Sequence, residues 1–136
     1  MSGEKGFCTE NMIVDTTVWV HFFRREEKSK EFLLSLREEI AVSRITIMEL
    51  VYGRRSKKDI GNMRRQFKNL DVRVEEINEG ISTMAGEIFE KYCPTKGIGL
   101  LDAFVAATAI VHGKKLATHN TKHFRFIKGL ELVVLY

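Results

Sequence analysis

Five short apolar runs, separated by stretches of helical periodicity, constrain the fold of this chain more than any other feature. Met12-Ile13-Val14, Ile40-Ala41-Val42 and residues 72–77, 115–118 and 130–135 are strand-sized. Among the intervening stretches, residues 18–23 begin a helix, and 29–39 carry Phe32, Leu33 and Leu36 at helical spacing. The segment from Thr46 onward is helical too, and 57–70 sets Ile60, Met63, Phe67 and Leu70 on one stripe. Residues 81–92 form another helix. Residues 100–112 form the most apolar one, rich in alanine and suited to burial against a sheet, with Gly113 as its C-terminal stop. Within 72–77 the alternation fits an edge strand. Strands alternating with helices predict a parallel α/β sandwich.

The remaining totals set limits. A chain of 136 residues suits one domain with a sizeable core, and 44% hydrophobic against 29% charged residues is ordinary for a soluble protein. Lys and Arg number 22 against 18 Asp and Glu, a net charge of +4 that weakly favours a polyanionic partner. Cys8 and Cys93 form no CxxC pair and fit a reducing compartment. No apolar run approaches the roughly 20 residues of a membrane span, and MSGEKGFCTE lacks the basic-then-apolar order of a signal peptide. The expectation is a cytoplasmic protein with no membrane partner. Residues 1–11 read as a flexible extension and 12–136 as a single domain, and Pro94 marks no linker.

In open α/β sheets, ligands bind beyond the carboxyl ends of the strands. Four polar residues fall there. Asp15 follows the first strand, Asn120 the fourth, Glu49 lies one turn into the helix after the second, and Asp102 starts the alanine-rich helix. Each has a plain structural reading. Thr46-x-x-Glu49 matches a capping box, Asp102 complements a helix dipole, and Asp15 suits a helix N-cap. Singly those readings win; jointly they weaken, because Glu49 and Asp102 sit inside apolar stretches where an unpaired acid is costly. A hard divalent cation, Mg²⁺ or Mn²⁺, relieves the repulsion of three clustered carboxylates. Such an ion also activates water and stabilises charge in phosphoryl displacement. With a mildly basic chain, phosphodiester hydrolysis leads.

The stretches MIVDTTVWVHFF, SRITIMELVYG, IGLLDAFVAATAI and KLATHNTKHFRFIKGLELVVLY, in this order and spacing, strongly resemble PIN-domain nucleases, and among them the VapC type of toxin ribonuclease. The resemblance runs from Met12 to Tyr136. It implies a three-layer α/β/α sandwich with a mostly parallel sheet, Mg²⁺- or Mn²⁺-dependent cleavage of RNA, a homodimer and a VapB-like antitoxin partner of a type II toxin–antitoxin pair. Asp15, Glu49 and Asp102 match the acids that hold the catalytic metal, and Asn120 the fourth position, often Asp in PIN domains. Thr16 and Thr118 match supporting hydroxyl residues. The neutral Asn120 implies a weaker hold on a second metal, or a one-metal site.

Three alternatives compete: a PIN-like RNA-processing nuclease without an antitoxin, a non-catalytic PIN-like interaction module, and a haloacid-dehalogenase-like phosphatase. The phosphatase wants a second acid where Thr17 stands. Arg54, Arg55, Lys57 and Lys58, with Arg64, Arg65 and Lys68 beyond, are candidate RNA-backbone contacts, each individually a solvated helix face. Arg24 and Arg25 are further candidates. Trp19, Phe22 and Phe23 read as core or subunit interface rather than base-stacking residues. His21 and His112 read as helix residues without partners. His119 and His123, four apart, read as an incidental pair: for zinc they need a helix, and they lie in the turn after a strand. No phosphate-binding glycine motif is present.

Overall fold

The computed structural model describes residues 12–36, 40–133 and 135–136, so the predicted extension over 1–11 lies outside the described residues. Strand β1 (Met12–Val14) leads into α1 (Thr16–Phe23) and α2 (Glu27–Leu36). Next come β2 (Ile40–Ser43), α3 (Arg44–Tyr52), α4 (Lys57–Asn69) and β3 (Arg73–Glu75). The second half holds α5 (Glu79–Lys96), α6 (Leu100–Val111), β4 (Lys115–Ala117), a 3₁₀ turn (Thr121–His123) and β5 (Leu132–Val133).

All four strand pairings are parallel, and the sheet order is β3-β2-β1-β4-β5. As predicted, β3 is an edge. The order reverses at β1: the chain winds outward to β2 and β3, then returns to the other side as β4 and β5. Between β1 and β4 the connections therefore leave in opposite directions, which opens a crevice beyond the strand ends.

Side-chain alternation along the strands makes the layers. Ile13, Ala41 and Leu116 face one core with α5 and α6, while Val14, Ile40 and Val42 face the other with α1 through α4. Helix α6 earns its place through alanine. Ala103, Ala106, Ala107 and Ala109 are fully buried, and such small side chains let the helix lie close between the sheet and α5. His112 closes it, and Gly113 takes the left-handed position at φ 64°. Opposite, Trp19 is fully buried and meets Phe67 edge-on at 4.5 Å between ring centroids. Trp19 is thus core, as expected, with Phe22 and Phe23 packed around it.

Several boundaries differ from the sequence reading. Helix α3 starts at Arg44, two residues before Thr46, because Ser43 is the N-cap and its hydroxyl accepts from the Ile45 N–H at 3.0 Å. The capping box assigned to Thr46 and Glu49 is therefore not formed. Helix α5 runs past Tyr92 to Lys96, carrying Pro94 near its end, where the lost donor matters least to the remaining helix. The last strand begins at Leu132, two residues later than the sequence reading places it.

Candidate active site

Asp15 is the first residue beyond β1 and occupies the N-cap position of α1 without capping it. Its backbone N–H continues the pairing with β4 by donating to the Ala117 carbonyl at 2.9 Å. Its carboxylate is buried and held by hydroxyls: Thr118 donates to Oδ2 at 2.8 Å and Thr17 at 3.1 Å. Thr17 in turn accepts the His119 N–H at 2.9 Å, and Thr118 accepts the Asn120 N–H at 2.9 Å. Each hydroxyl thus bridges the ends of β1 and β4, since its proton goes to Asp15 and its lone pair takes a backbone N–H. Sequence reading assigned support to Thr118 but saw in Thr17 only a missing acid. Its structural role emerges from a contact across 101 residues.

Glu49 reaches the same crevice from α3. Thr16 donates to its Oε1 at 2.5 Å, with the Thr46 hydroxyl 3.2 Å from Thr16. Glu49 thus bonds across to α1 instead of closing its own helix. Burial pushes its carboxyl above the ordinary range, the Thr16 bond pulls it down, and the charges of Asp15 and Asp102 push it up again. Asp102, in the first turn of α6, is likewise raised, first by burial and then by Asp15, against an opposing pull from His123. His123 Nδ1 lies 3.2 Å from Asp102 Oδ2. The charges of Asp15 and Asp102 both act on Glu49, and that of Asp15 on Asp102, while Asp15 itself stands directly beyond β1 at the crevice where the strand order reverses.

Asn120 occupies the matching position beyond β4 but is exposed. Among the described residues its side chain forms no hydrogen bond; its backbone ties it to Thr118 and starts the 3₁₀ turn. The histidines nearby part company. His123 turns to Asp102, while His119 stacks on His21 with ring centroids 4.2 Å apart. His119 and His123 thus turn to different neighbours. His21 and His112 do have partners, contrary to expectation: His21 Nδ1 lies 2.7 Å from Glu26 and His112 Nε2 3.3 Å from Glu75. Glu26 follows the turn that ends α1 and Glu75 is the last residue of β3, so helical periodicity alone does not reveal either.

Of the basic candidates, Arg55, Lys57 and Lys58 are exposed at the start of α4. Arg54 is half-buried, its guanidinium 5.3 Å from the Phe23 ring centroid, so part of its role is packing. No helix among the described residues is long and apolar enough to cross a membrane.

Removing the Thr118 hydroxyl isolates this arrangement. Thr118→Ala leaves the buried Asp15 with one hydroxyl donor and the Asn120 N–H without its acceptor, at an expected cost of about 1–3 kcal/mol. Urea unfolding measures it, and Thr118→Ser should restore most of the loss.

Comparison with known proteins now identifies the family. The PIN domain profile matches residues 12–129. The chain belongs to the PIN domain family. Ribonuclease VapC10 of Mycobacterium tuberculosis is 30% identical over 125 residues, covering 88% of this chain and 90% of that protein. A toxin–antitoxin complex from Klebsiella pneumoniae contains a chain of the same fold, with TM-score 0.77 and 26% identity over 93% of this chain and 98% of that one. VapBC2 from Rickettsia felis, bound to a DNA fragment from its promoter, gives TM-score 0.74 and 27% identity over 90% and 96%. The PIN assignment removes the haloacid-dehalogenase alternative, and the five-stranded parallel sheet with helices on both faces is the predicted three-layer sandwich.

Proposed function

We propose that this PIN domain is a metal-dependent ribonuclease, the toxin of a type II toxin–antitoxin pair, held in check by a VapB-like antitoxin. The observation that carries the chemistry is the convergence of three carboxylates, two with raised pKa, at the switch point of the sheet. The biological role is supported by the VapC ribonuclease name of a relative and by the toxin–antitoxin assemblies that contain the fold.

The donor set suits Mg²⁺ or Mn²⁺: three carboxylates, all oxygen, with mutual repulsion that a divalent cation offsets. Asp15 and Asp102 are the direct ligands in this reading. The ion, when bound, lowers the pKa of water and offsets charge on the phosphoryl oxygens. The chain's own groups do the rest. Thr17 and Thr118 bond one oxygen of Asp15 and leave its orientation fixed. Glu49, anchored at one oxygen by Thr16 and raised by burial, accepts a proton from the attacking water at its other oxygen. Asn120, at the exposed rim, orients a water or phosphate oxygen, and its neutrality favours a single ion. Arg55, Lys57 and Lys58 supply backbone contacts to RNA. Exposed apolar residues Met48 and Tyr52 on α3, and Leu100 and Leu101 on α6, offer a surface for a second copy of the chain or the antitoxin.

Purified chain incubated with RNA should cleave it with Mg²⁺ or Mn²⁺, stop on addition of EDTA, and recover when excess metal is returned. Cleavage that persists undiminished in EDTA would overturn the metal-dependent reading.

A further inference from the structure

A second cluster of metal-ligating side chains lies on the α1 side of β4, sharing no residue with the three acids. His21, near the end of α1, Glu26, between α1 and α2, and His119, directly after β4, each offer one ligand atom, and these atoms all lie within 4.8 Å of one another. Among the described residues no other group of His, Cys, Asp and Glu meets that condition.

The backbone builds half of the site. Helix α1 ends in a Schellman turn: the Glu26 N–H donates to the His21 carbonyl at 3.1 Å and the Arg25 N–H to the Phe22 carbonyl at 2.9 Å. Arg25 takes the left-handed conformation at φ 65°, a position glycine usually fills. That turn brings Glu26 back beneath His21, and Oε2 lies 2.7 Å from His21 Nδ1. The other carboxylate oxygen is fixed by the fully buried Ser29, which donates to it at 3.1 Å, and by Tyr136, whose hydroxyl lies 3.3 Å away. Tyr136 is also 3.1 Å from His119 Nε2. His119 stacks over His21 at an interplanar angle of 30°. Two imidazoles and a carboxylate are therefore held together by a turn, the buried Ser29 and Tyr136.

We propose that His21, Glu26 and His119 bind a Zn²⁺ ion. Two nitrogens and one oxygen make a borderline donor set, which zinc accepts and Mg²⁺ does not favour. With Zn–N and Zn–O near 2.0–2.1 Å, tetrahedral ligands stand about 3.4 Å apart. Closing from within 4.8 Å to that spacing takes side-chain rotation, since all three residues are half-buried and border solvent. Three protein ligands leave a fourth position for water or the Tyr136 phenol. The ion would tie the end of α1 to the loop that carries Thr118 and Asn120, and so stiffen one wall of the crevice.

The test titrates Zn²⁺ and Co²⁺ into the metal-free chain, reading calorimetry, the visible absorption of Co²⁺ and the melting temperature. One equivalent should bind in the double variant D15N/D102N, Co²⁺ should give the intense visible bands of four-coordinate geometry, and the melting temperature should rise with Zn²⁺ concentration. That variant should bind Zn²⁺ and Co²⁺ with the parent's affinity and show the same Co²⁺ bands and the same Zn²⁺-dependent rise in melting temperature over its own metal-free value. Glu26→Gln and His119→Gln should each lose at least the roughly 10- to 100-fold in affinity that even outer-shell changes cost. Absence of the Co²⁺ bands from the unmodified chain overturns the proposal without recourse to any variant. Binding that survives in both glutamine variants but vanishes in D15N/D102N overturns it as well, because the ion then belongs to the three acids.

Discussion

Asp102→Asn should yield a folded protein that melts higher than the parent in EDTA yet cleaves RNA about 10²- to 10³-fold more slowly, the range that follows loss of one preorganised transition-state contact. Asp15→Asn should lose activity to the same degree. The gain in stability has a defined sign. Burial and the Asp15 charge hold the Asp102 carboxyl above its ordinary range, more than His123 pulls it down. A raised carboxyl binds its proton more tightly in the folded chain than in the unfolded one. Its ionisation therefore costs stability as pH climbs from the ordinary carboxylate range through the raised folded value, and the cost is complete above that. Asparagine removes the charge and with it the cost, so the melting difference should be large near neutral pH and shrink in acid. Differential scanning calorimetry across pH, paired with RNA cleavage under excess Mg²⁺, measures both halves. Undiminished cleavage in both Asp15→Asn and Asp102→Asn removes these carboxylates from the catalytic role. An unchanged or lowered melting temperature would mean that the His123 contact outweighs the repulsion.

The largest loss of stability should come from a residue with no chemistry of its own. Trp19→Ala should destabilise the fold by about 3–5 kcal/mol, the cost of a large aromatic removed from a closed core. For a chain of this size that lowers the melting temperature by roughly 10 °C or more. Trp19 is fully buried and touches Phe67 of α4 and Phe22 and Phe23 of its own helix through ring contacts. A cavity there cannot refill from solvent, and the surrounding aromatics relax only in part. Trp19→Phe keeps most of the contact and should lose far less. Circular dichroism is the readout, since Trp19 is the single tryptophan and its fluorescence leaves with it. The site should feel the change, because α1 carries both Trp19 and the Thr16 and Thr17 hydroxyls that hold Glu49 and Asp15. A loss under about 1 kcal/mol would show that the α1–α4 core tolerates the void.

The alternation of short apolar runs with helical periods made the layered architecture legible, because burial on a sheet face and on a helix stripe imposes different repeats on the sequence. The same logic singled out Asp15, Glu49 and Asp102 as candidates, since Asp15 directly follows a strand, Glu49 lies on the helix after the next strand and Asp102 stands in the first turn of a helix. Local signals failed where two readings shared one pattern. Thr46 and Glu49 fit a capping box in the sequence, but Ser43 already capped the helix, which freed Glu49 to bond Thr16.

The sequence by itself determined the alternation of strands and helices and the place of Asp15 just beyond the first strand, because periodicity and strand-end position are local properties of the chain. Only the tertiary structure decided what each polar side chain does. Thr17 meets Thr118 across 101 residues, His123 meets Asp102 across 21, and His119 leaves His123 to stack on His21. Such pairings depend on which strands become neighbours in the sheet, and a contact between β1 and β4 leaves no spacing in the sequence from which it can be read.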